Sequence, residues 1–333
     1  MSARPAAAIV LLLVTLPALA AGFFLSVSYG AADVSLRTVW AAVFTYDPAI
    51  VDHQIIHDVR LPRVVIALMV GAGLAVAGAI MQGMTRNPLA DPGLLGLTAG
   101  ANFLLVLTLI YGGGLPYQTI MLIAFAGAAL GAGLVYGIGS LARGGLTPVR
   151  LALAGVAVSA LLGALADGLV IYYGIAQELL FWYAGGIAGT RWSDVTALLP
   201  WTTVGLAGGI MLAPSITVLS LGDEIAIGLG QQTGRVKAAG SLATLLLAGS
   251  AVVIAGPVAF IGLVIPHVTR FMVGLDYRWL IPCAAVVGGL FLILADLGAR
   301  MVNPPYEMPV GVITALVGVP FFLVLARNDR RGM

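Results

Sequence analysis

The chain has 333 residues, of which 60% are hydrophobic and 9% charged, with a mean hydropathy of +1.06 and a formal net charge of +2. Soluble domains carry about 25% charged residues, so a water-soluble globular fold is excluded, and disordered chains lack apolar residues in this abundance. The small net charge, without any block of like charges, gives no basis for a nucleic-acid partner.

Apolar runs of the length that crosses a bilayer, about 20 residues, lie at roughly 6–29, 62–82, 93–111, 117–141, 149–173, 192–212, 236–256, 280–299 and 309–326. The first run follows Arg4 and contains Ala18-Leu19-Ala20, a pattern shared by signal peptides, but it continues to about Tyr29, which favours a retained helix. The stretch from about 257 to 273 begins after Gly256-Pro257 and is near the short limit for a span. Read as spanning, it gives an all-α protein of ten transmembrane helices; read as re-entrant, it gives nine. The 44 glycines and 17 prolines suit such helices, where glycine permits close backbone approach and proline breaks are tolerated.

The basic residues choose between the two counts. With ten crossings and both termini cytoplasmic, the inner set is Arg4, Arg86, Arg143, Arg150, Arg235, Lys237, Arg270, Arg278, Arg327, Arg330 and Arg331. The outer set is Arg37, Arg60, Arg63, Arg191 and Arg300, the direction that the positive-inside rule requires. Re-entry at 257–273 spoils the bias, so ten crossings are expected.

Few polar features remain to carry function. The longest inner polar segment runs from Ser220 to Lys237; Leu221, Ile225, Leu229, Asp223 and Glu224 suit a short surface helix capped by Ser220 or Asp223. Such a helix is either a connecting element or a docking site for a cytosolic partner. Its GLGQQTG string lacks the Gly-Lys-Ser/Thr of a phosphate loop, and Lys237 is the chain's sole lysine, so any ATP site must lie on another subunit. In the fifth run Gly155, Ser159, Gly163 and Asp167 recur every four residues and share a helix face. Small residues alone indicate packing, but an intramembrane acid points to a cavity or a partner. The pairs Gly127/Gly131 and Gly133/Gly137 of the fourth run are read as packing. Asp296 and Arg300 have ion-pair spacing, and three outer arginines could either snorkel at the interface or receive an acidic partner. His53 and His57, beside Asp52 and Asp58, offer a weak metal pattern in what reads as a solvated outer segment. His267, in IPHVTR, is expected to make a helix-terminus hydrogen bond. No nucleophile–base set or metalloprotease spacing appears. Cys283 stands alone, which rules out a disulfide framework or a Cys-rich metal site.

The string RLPRVVIALMVGAGLAVAGAIMQGMTRNPLADPGLLGLTAGA from Arg60, with FWYAGGI, LGDEIAIGLG, GPVAFIGLVIPHVTR, ADLGARM and EMPVGVITALVGVPFF following in order, resembles the FecCD family of bacterial ABC importer permeases. The resemblance covers nearly the whole chain. It implies a single permease domain over 1–333 with the type II importer fold, seated in the bacterial inner membrane among its lipids. It further implies assembly with a second permease (the same chain or a paralogue), two cytosolic ATPases that hold ATP and Mg, and an external substrate-binding protein. No cofactor is implied for this chain, and the cargo is a ferric siderophore, with haem or cobalamin as alternatives. Within a cytoplasmic segment at about 214–236, Leu221, Gly222, Asp223, Glu224, Ala226, Leu229 and Gly230 match the coupling helix. Arg60, Arg63 and Arg300 match arginines that pair with glutamates of the binding protein. In the cobalamin member a Thr-Ser pair forms a cytoplasmic gate; here the corresponding loop reads Leu146-Thr147-Pro148-Val149-Arg150, which changes its chemistry. Asp167 has no acidic counterpart in the resemblance. As a proton-coupling carboxylate it is the mark of a different class, a secondary transporter. A membrane enzyme using His53 and His57 is a further alternative.

Overall fold

The computed structural model describes residues 4–29, 34–141, 148–303 and 306–329. Among them the elements are helical, apart from one isolated bridge between Asn303 and Tyr306. We label the helices α1 (Pro5–Ser28), α2 (Leu36–Phe44), α3 (Val51–Thr85), α4 (Leu97–Tyr111), α5 (Tyr117–Leu141), α6 (Pro148–Tyr173) and α7 (Ala176–Tyr183). There follow α8 (Trp192–Leu219), α9 (Asp223–Gly228), α10 (Thr233–Ala255), α11 (Ile261–Val273), α12 (Tyr277–Met301) and α13 (Val310–Asp329).

Seven of these helices are long and apolar enough to cross a membrane: α1, α3, α5, α6, α8, α10 and α12. Three shorter apolar helices, α4, α11 and most of α13, fall on the remaining expected runs. The shortening of α4 and α11 has local causes. Gly96, at φ 71°, separates the 3-10 turn Pro92–Leu95 from α4. Before α11 the chain is non-helical from Gly256 to Phe260, leaving 13 helical residues, or about 20 Å. Irregular backbone within a membrane must be buried in protein or line a cavity; here Gly256 and Val258 are buried, and Pro257, Val258 and Ala259 line a cavity. A Cβ on Gly256, whose φ of 65° already favours glycine, would lie 2.3 Å from the carbonyl of Trp182. The loop after α7 presses back in turn, since a Cβ on Gly185 would lie 2.8 Å from the carbonyl of Pro257.

The core is organised around α3, which packs on α8, α10, α11 and α12. Its run of small residues allows backbone-level contact: Gly71 faces the Gly288 carbonyl on α12, and Gly78 faces the Gly262 carbonyl on α11. On the other flank α4 packs between α5 and α6. Gly127 and Gly131 meet Gly100 and Gly96 as the spacing suggests. Gly133 and Gly137 do not pack; a Cβ on either would have open space around it. The two residues from Gly131 to Gly133 turn the helix by about 200°, which carries the two pairs to different sides, so equal spacing does not mean equal surroundings.

Other expectations are also revised. Helix α3 starts at Val51 rather than near 62, because Ile56 is fully buried and the chain continues through a π turn at Ile56–Arg60. Asp52, His53, His57 and Asp58 are therefore helical. His267 lies within α11, not at its end, with its ring edge-on to Phe271 and Phe321. Helix α1 packs along α12, burying Ala8, Leu11, Gly22 and Val27.

Candidate functional site

One end of the bundle gathers the three arginines. Arg60 and Arg63 come from the start of the buried part of α3, and Arg300 from the last turn of α12. They are only 6–7% exposed. The reason is the C-terminus of α1, whose last carbonyls have no intrahelical donor. Arg60 Nη1 donates to the carbonyls of Val27 and Ser28 at 2.6 and 2.7 Å. Arg300 donates to the carbonyls of Tyr29 (2.9 Å) and Ser26 (3.0 Å) and to Ser26 Oγ (2.6 Å). Cations at a helix C-terminus also favour its dipole.

Asp296, one turn before Arg300, joins the set. Arg63 Nε lies 3.0 Å from both Asp296 oxygens, and Arg63 Nη2 lies 2.9 Å from Oδ1. Arg300 Nε lies 3.2 Å from Oδ2, the pair expected from spacing. Arg63 Nη1 reaches Glu307 Oε2 at 2.7 Å. Glu307 was not singled out in the sequence; its carboxylate is visible only once the chain folds back between α12 and α13. Three guanidiniums and two carboxylates thus meet beside a cavity of about 490 Å³, also lined by Trp182, Ile187, Met308 and Val310.

The α6 stripe divides along its length. Ala154, Val158, Leu162, Ala166 and Val170 are buried and carry the packing. Beside them Gly155 is buried, Ser159 and Gly163 are half-buried and Asp167 is exposed. A Cβ on Gly163 would meet nothing. Tyr183 Oη sits 3.5 Å from Asp167 Oδ1 and accepts a bond from Asn102 Nδ2 at 3.1 Å. Pro148 and Val149 are the first residues of α6 rather than loop, as proline's fixed φ suits a helix start. Thr147 lies outside the described residues. Asp91 is a further polar group that sequence reasoning passed over: it caps the turn at Pro92 through the Gly93 amide (2.8 Å) and borders a cavity of about 160 Å³ with Leu74, Val252 and Gly262. Its signal was an Asp-Pro before an apolar run.

The opposite end of α3 meets the polar segment. Arg86 closes α3 in the left-handed conformation, and its guanidinium lies over Gly222. Helix α9 is shorter than expected and starts after Gly222, not after a Ser220 or Asp223 cap; at φ 128° and ψ 148° that position favours glycine. Gly230 closes it in a Schellman motif, with its amide on the Ile227 carbonyl (2.8 Å) and the Gln231 amide on Ala226 (2.9 Å). Ala226 is buried, whereas Leu221, Glu224, Ile225, Ile227 and Leu229 are exposed. Two side chains fix the segment to its neighbours: Gln231 donates to the Ser215 carbonyl on α8 (2.9 Å), and Lys237 on α10 pairs with Asp223 (2.7 Å). That pair is over a third exposed, so Lys237→Met should lower stability by less than about 1 kcal/mol; a larger drop in a thermal melt would mean that the pair, rather than the two caps, holds α9. Nearby, the guanidinium of Arg278 holds the Asp276 carboxyl below the usual range. That contribution is present above the ordinary carboxylate pKa and is lost as pH falls through the lowered value.

The histidines are engaged separately. His53 Nδ1 accepts the Asp47 amide at 3.0 Å, while His57 Nδ1 lies 3.1 Å from Asp58. Among the described residues no three His, Cys, Asp or Glu side chains are grouped to hold a metal.

A bundle with seven helices long and apolar enough to span a bilayer, glycine-level packing and a capped polar helix at one end has the make-up of a polytopic membrane protein. Residues 18–328 match the FecCD transport family, and the chain belongs to that family. It is 54% identical over 332 residues to the iron(3+)-hydroxamate import system permease protein FhuB of Bacillus subtilis (strain 168), covering 100% of this chain and 86% of that one. It is 39% identical to the hemin transport system permease protein HmuU of Yersinia pestis, covering 96% and 95%. A solved inward-facing metal-chelate type ABC transporter superposes with a TM-score of 0.83 at 27% identity, over 96% of this chain and 99% of that one. The architecture is that of the type II ABC importer permeases.

Proposed function

We propose that this chain is the membrane-spanning subunit of an ATP-driven importer that carries a ferric siderophore, of hydroxamate type, from a binding protein to the cytoplasm. The observation that carries the cargo is the full-length 54% identity to an iron(3+)-hydroxamate permease, against 39% to a hemin permease. In this reading the ten apolar helices all cross the bacterial inner membrane with both termini cytoplasmic, as the arginine bias requires. A second permease, the same chain or a paralogue, completes the path. Asp167, exposed on α6 beside open space, supports a water-filled route between the two copies, since an acid is costly against lipid.

ATP and Mg belong to two cytosolic ATPases seated against α9. The support is geometric: Leu221, Ile225 and Leu229 are exposed on a segment whose two ends are fixed to α3, α8 and α10. A push on that face is therefore transmitted to the bundle rather than absorbed by a loose loop. The outer partner is a binding protein whose acidic side chain meets the arginine cluster at Arg63, the arginine with a part-exposed partner, while Arg60 and Arg300 hold the end of α1.

The test is reconstitution in lipid with the cognate ATPase and binding protein. ATP hydrolysis should be stimulated by the binding protein loaded with a ferric hydroxamate, and less by haem- or cobalamin-loaded proteins. Ile225→Glu with Leu229→Glu should reduce ATPase co-purification at least tenfold while leaving the permease melt unchanged, because both side chains are exposed. Transport that follows a proton gradient without any ATPase would overturn the proposal.

A further inference from the structure

The arginine cluster has one partner that differs in kind from the rest. Asp296 is 1% exposed and held by two guanidiniums, and the α1 carbonyls belong to a helix end. Glu307 is 37% exposed at its side chain and touches Arg63 through a single oxygen, Oε2 to Nη1. Its backbone is anchored: the Met308 amide donates to the Ala299 carbonyl at 3.1 Å, and the Tyr306 amide to Asn303 at 2.9 Å. Only the Glu307 side chain needs to move to free Nη1, and the cavity of about 490 Å³ beside it gives room for that movement.

We propose that Glu307 is an internal stand-in: in the undocked permease it occupies the position on Arg63 that a carboxylate of the binding protein takes on docking. This rests on the docking reading of the arginines given above. Three considerations support it. A partner carboxylate cannot displace Asp296, because withdrawing it would leave two buried guanidiniums without their shared anion. Nη1 is the donor of Arg63 whose acceptor is reachable from outside. The cluster also holds three guanidiniums and two carboxylates, a formal net of +1, so releasing Glu307 raises it to +2 and leaves Nη1 of Arg63 open to an acidic side chain. The remaining lining, Trp182, Ile187 and Met308, offers no competing anion. Glu307 would thereby keep Nη1 of Arg63 paired when no partner is present and set how strongly a partner must bind to claim it.

The experiment measures binding of the cognate binding protein to the reconstituted importer at two salt concentrations, in the parent, Glu307→Gln, Arg63→Lys and the double variant. Removing the competing charge should tighten binding roughly threefold to tenfold, the scale of a half-exposed ion pair. It should also steepen the salt dependence, which a purely structural role would not do. Arg63→Lys, which keeps the charge but loses the fork, should weaken binding and abolish the gain from Glu307→Gln. Weaker or unchanged binding in a Glu307→Gln protein that melts like the parent overturns the stand-in role. In that case the docking reading still stands if Arg63→Lys and salt both weaken binding. Affinity indifferent to Arg63→Lys and to salt removes the docking reading itself.

Discussion

Replacing Asp296 by alanine should cost about 3–5 kcal/mol of stability, the range found when one partner of a buried ion pair is removed. For a chain of this size that corresponds to a fall in melting temperature of about 4–7 °C. The carboxylate is 1% exposed and is approached by Arg63 through Nε and Nη2 and by Arg300 through Nε. Without it two largely buried guanidiniums face each other, and Glu307 can compensate only Arg63. The damage extends to α1, because Arg300 also holds the carbonyls of Ser26 and Tyr29. Asp296→Asn keeps the shape but turns an amide N–H₂ toward a donor, so it should lose most of the same stability. A double change, Asp296→Ala with Arg63→Met, should recover part of the loss, since apolar replacement of a whole buried pair is far milder than breaking it. If Asp296→Ala melts within 2 °C of the parent, roughly 1 kcal/mol on this scale, the cluster is not what fixes α1 to α3 and α12.

Charge scarcity explains how much of this was legible. With so few ionised residues, each arginine reports on topology, and the bias that assigned Arg60, Arg63 and Arg300 to one side matches their convergence at one end of the bundle. Their burial was not legible, because it depends on the end of α1 and on Glu307, partners distant in sequence. The polar segment was readable for a local reason: Gly222 and Gly230 bracket α9 through backbone geometry that neighbouring residues dictate. The break at Gly256-Pro257 was likewise visible, but what covers it, the Trp182 carbonyl, was not. Glycine pairs show the boundary most sharply. Gly127/Gly131 and Gly133/Gly137 have identical spacing, yet among the described residues only the first pair has a helix within reach. Periodicity identifies a face; only the fold says what stands opposite it.

That distinction yields the second large effect. Gly78→Ala should be strongly destabilising, by about 3 kcal/mol or more, whereas Gly133→Ala should be neutral or slightly stabilising. In an isolated helix both changes favour alanine by up to about 1 kcal/mol. At Gly78 the added Cβ would lie 1.9 Å from the Gly262 carbonyl oxygen, and its neighbours are backbone atoms that cannot rotate away. Helices α3 and α11 must separate, and overpacking of this kind typically costs 1–3 kcal/mol before other losses. The other losses follow directly. One turn beyond Gly78, Gln82 Nε2 donates to the carbonyls of Gly262 and Leu263 at 3.2 and 3.3 Å, and its Oε1 accepts from Arg270 at 2.8 Å. Moving α11 outward stretches these contacts and leaves polar groups short of partners, each a further cost of about 1–3 kcal/mol. Helix α11 is only 13 residues long, and its remaining packing on α12, α1 and α13 would have to move with it. The two variants should therefore differ in the sign of their melting shifts as well as in size, and Gly78→Ala should also lower the folded yield from membranes. Equal shifts for both would mean that α3 and α11 do not meet at backbone distance, and with that the packing centre of the bundle would have to be redrawn.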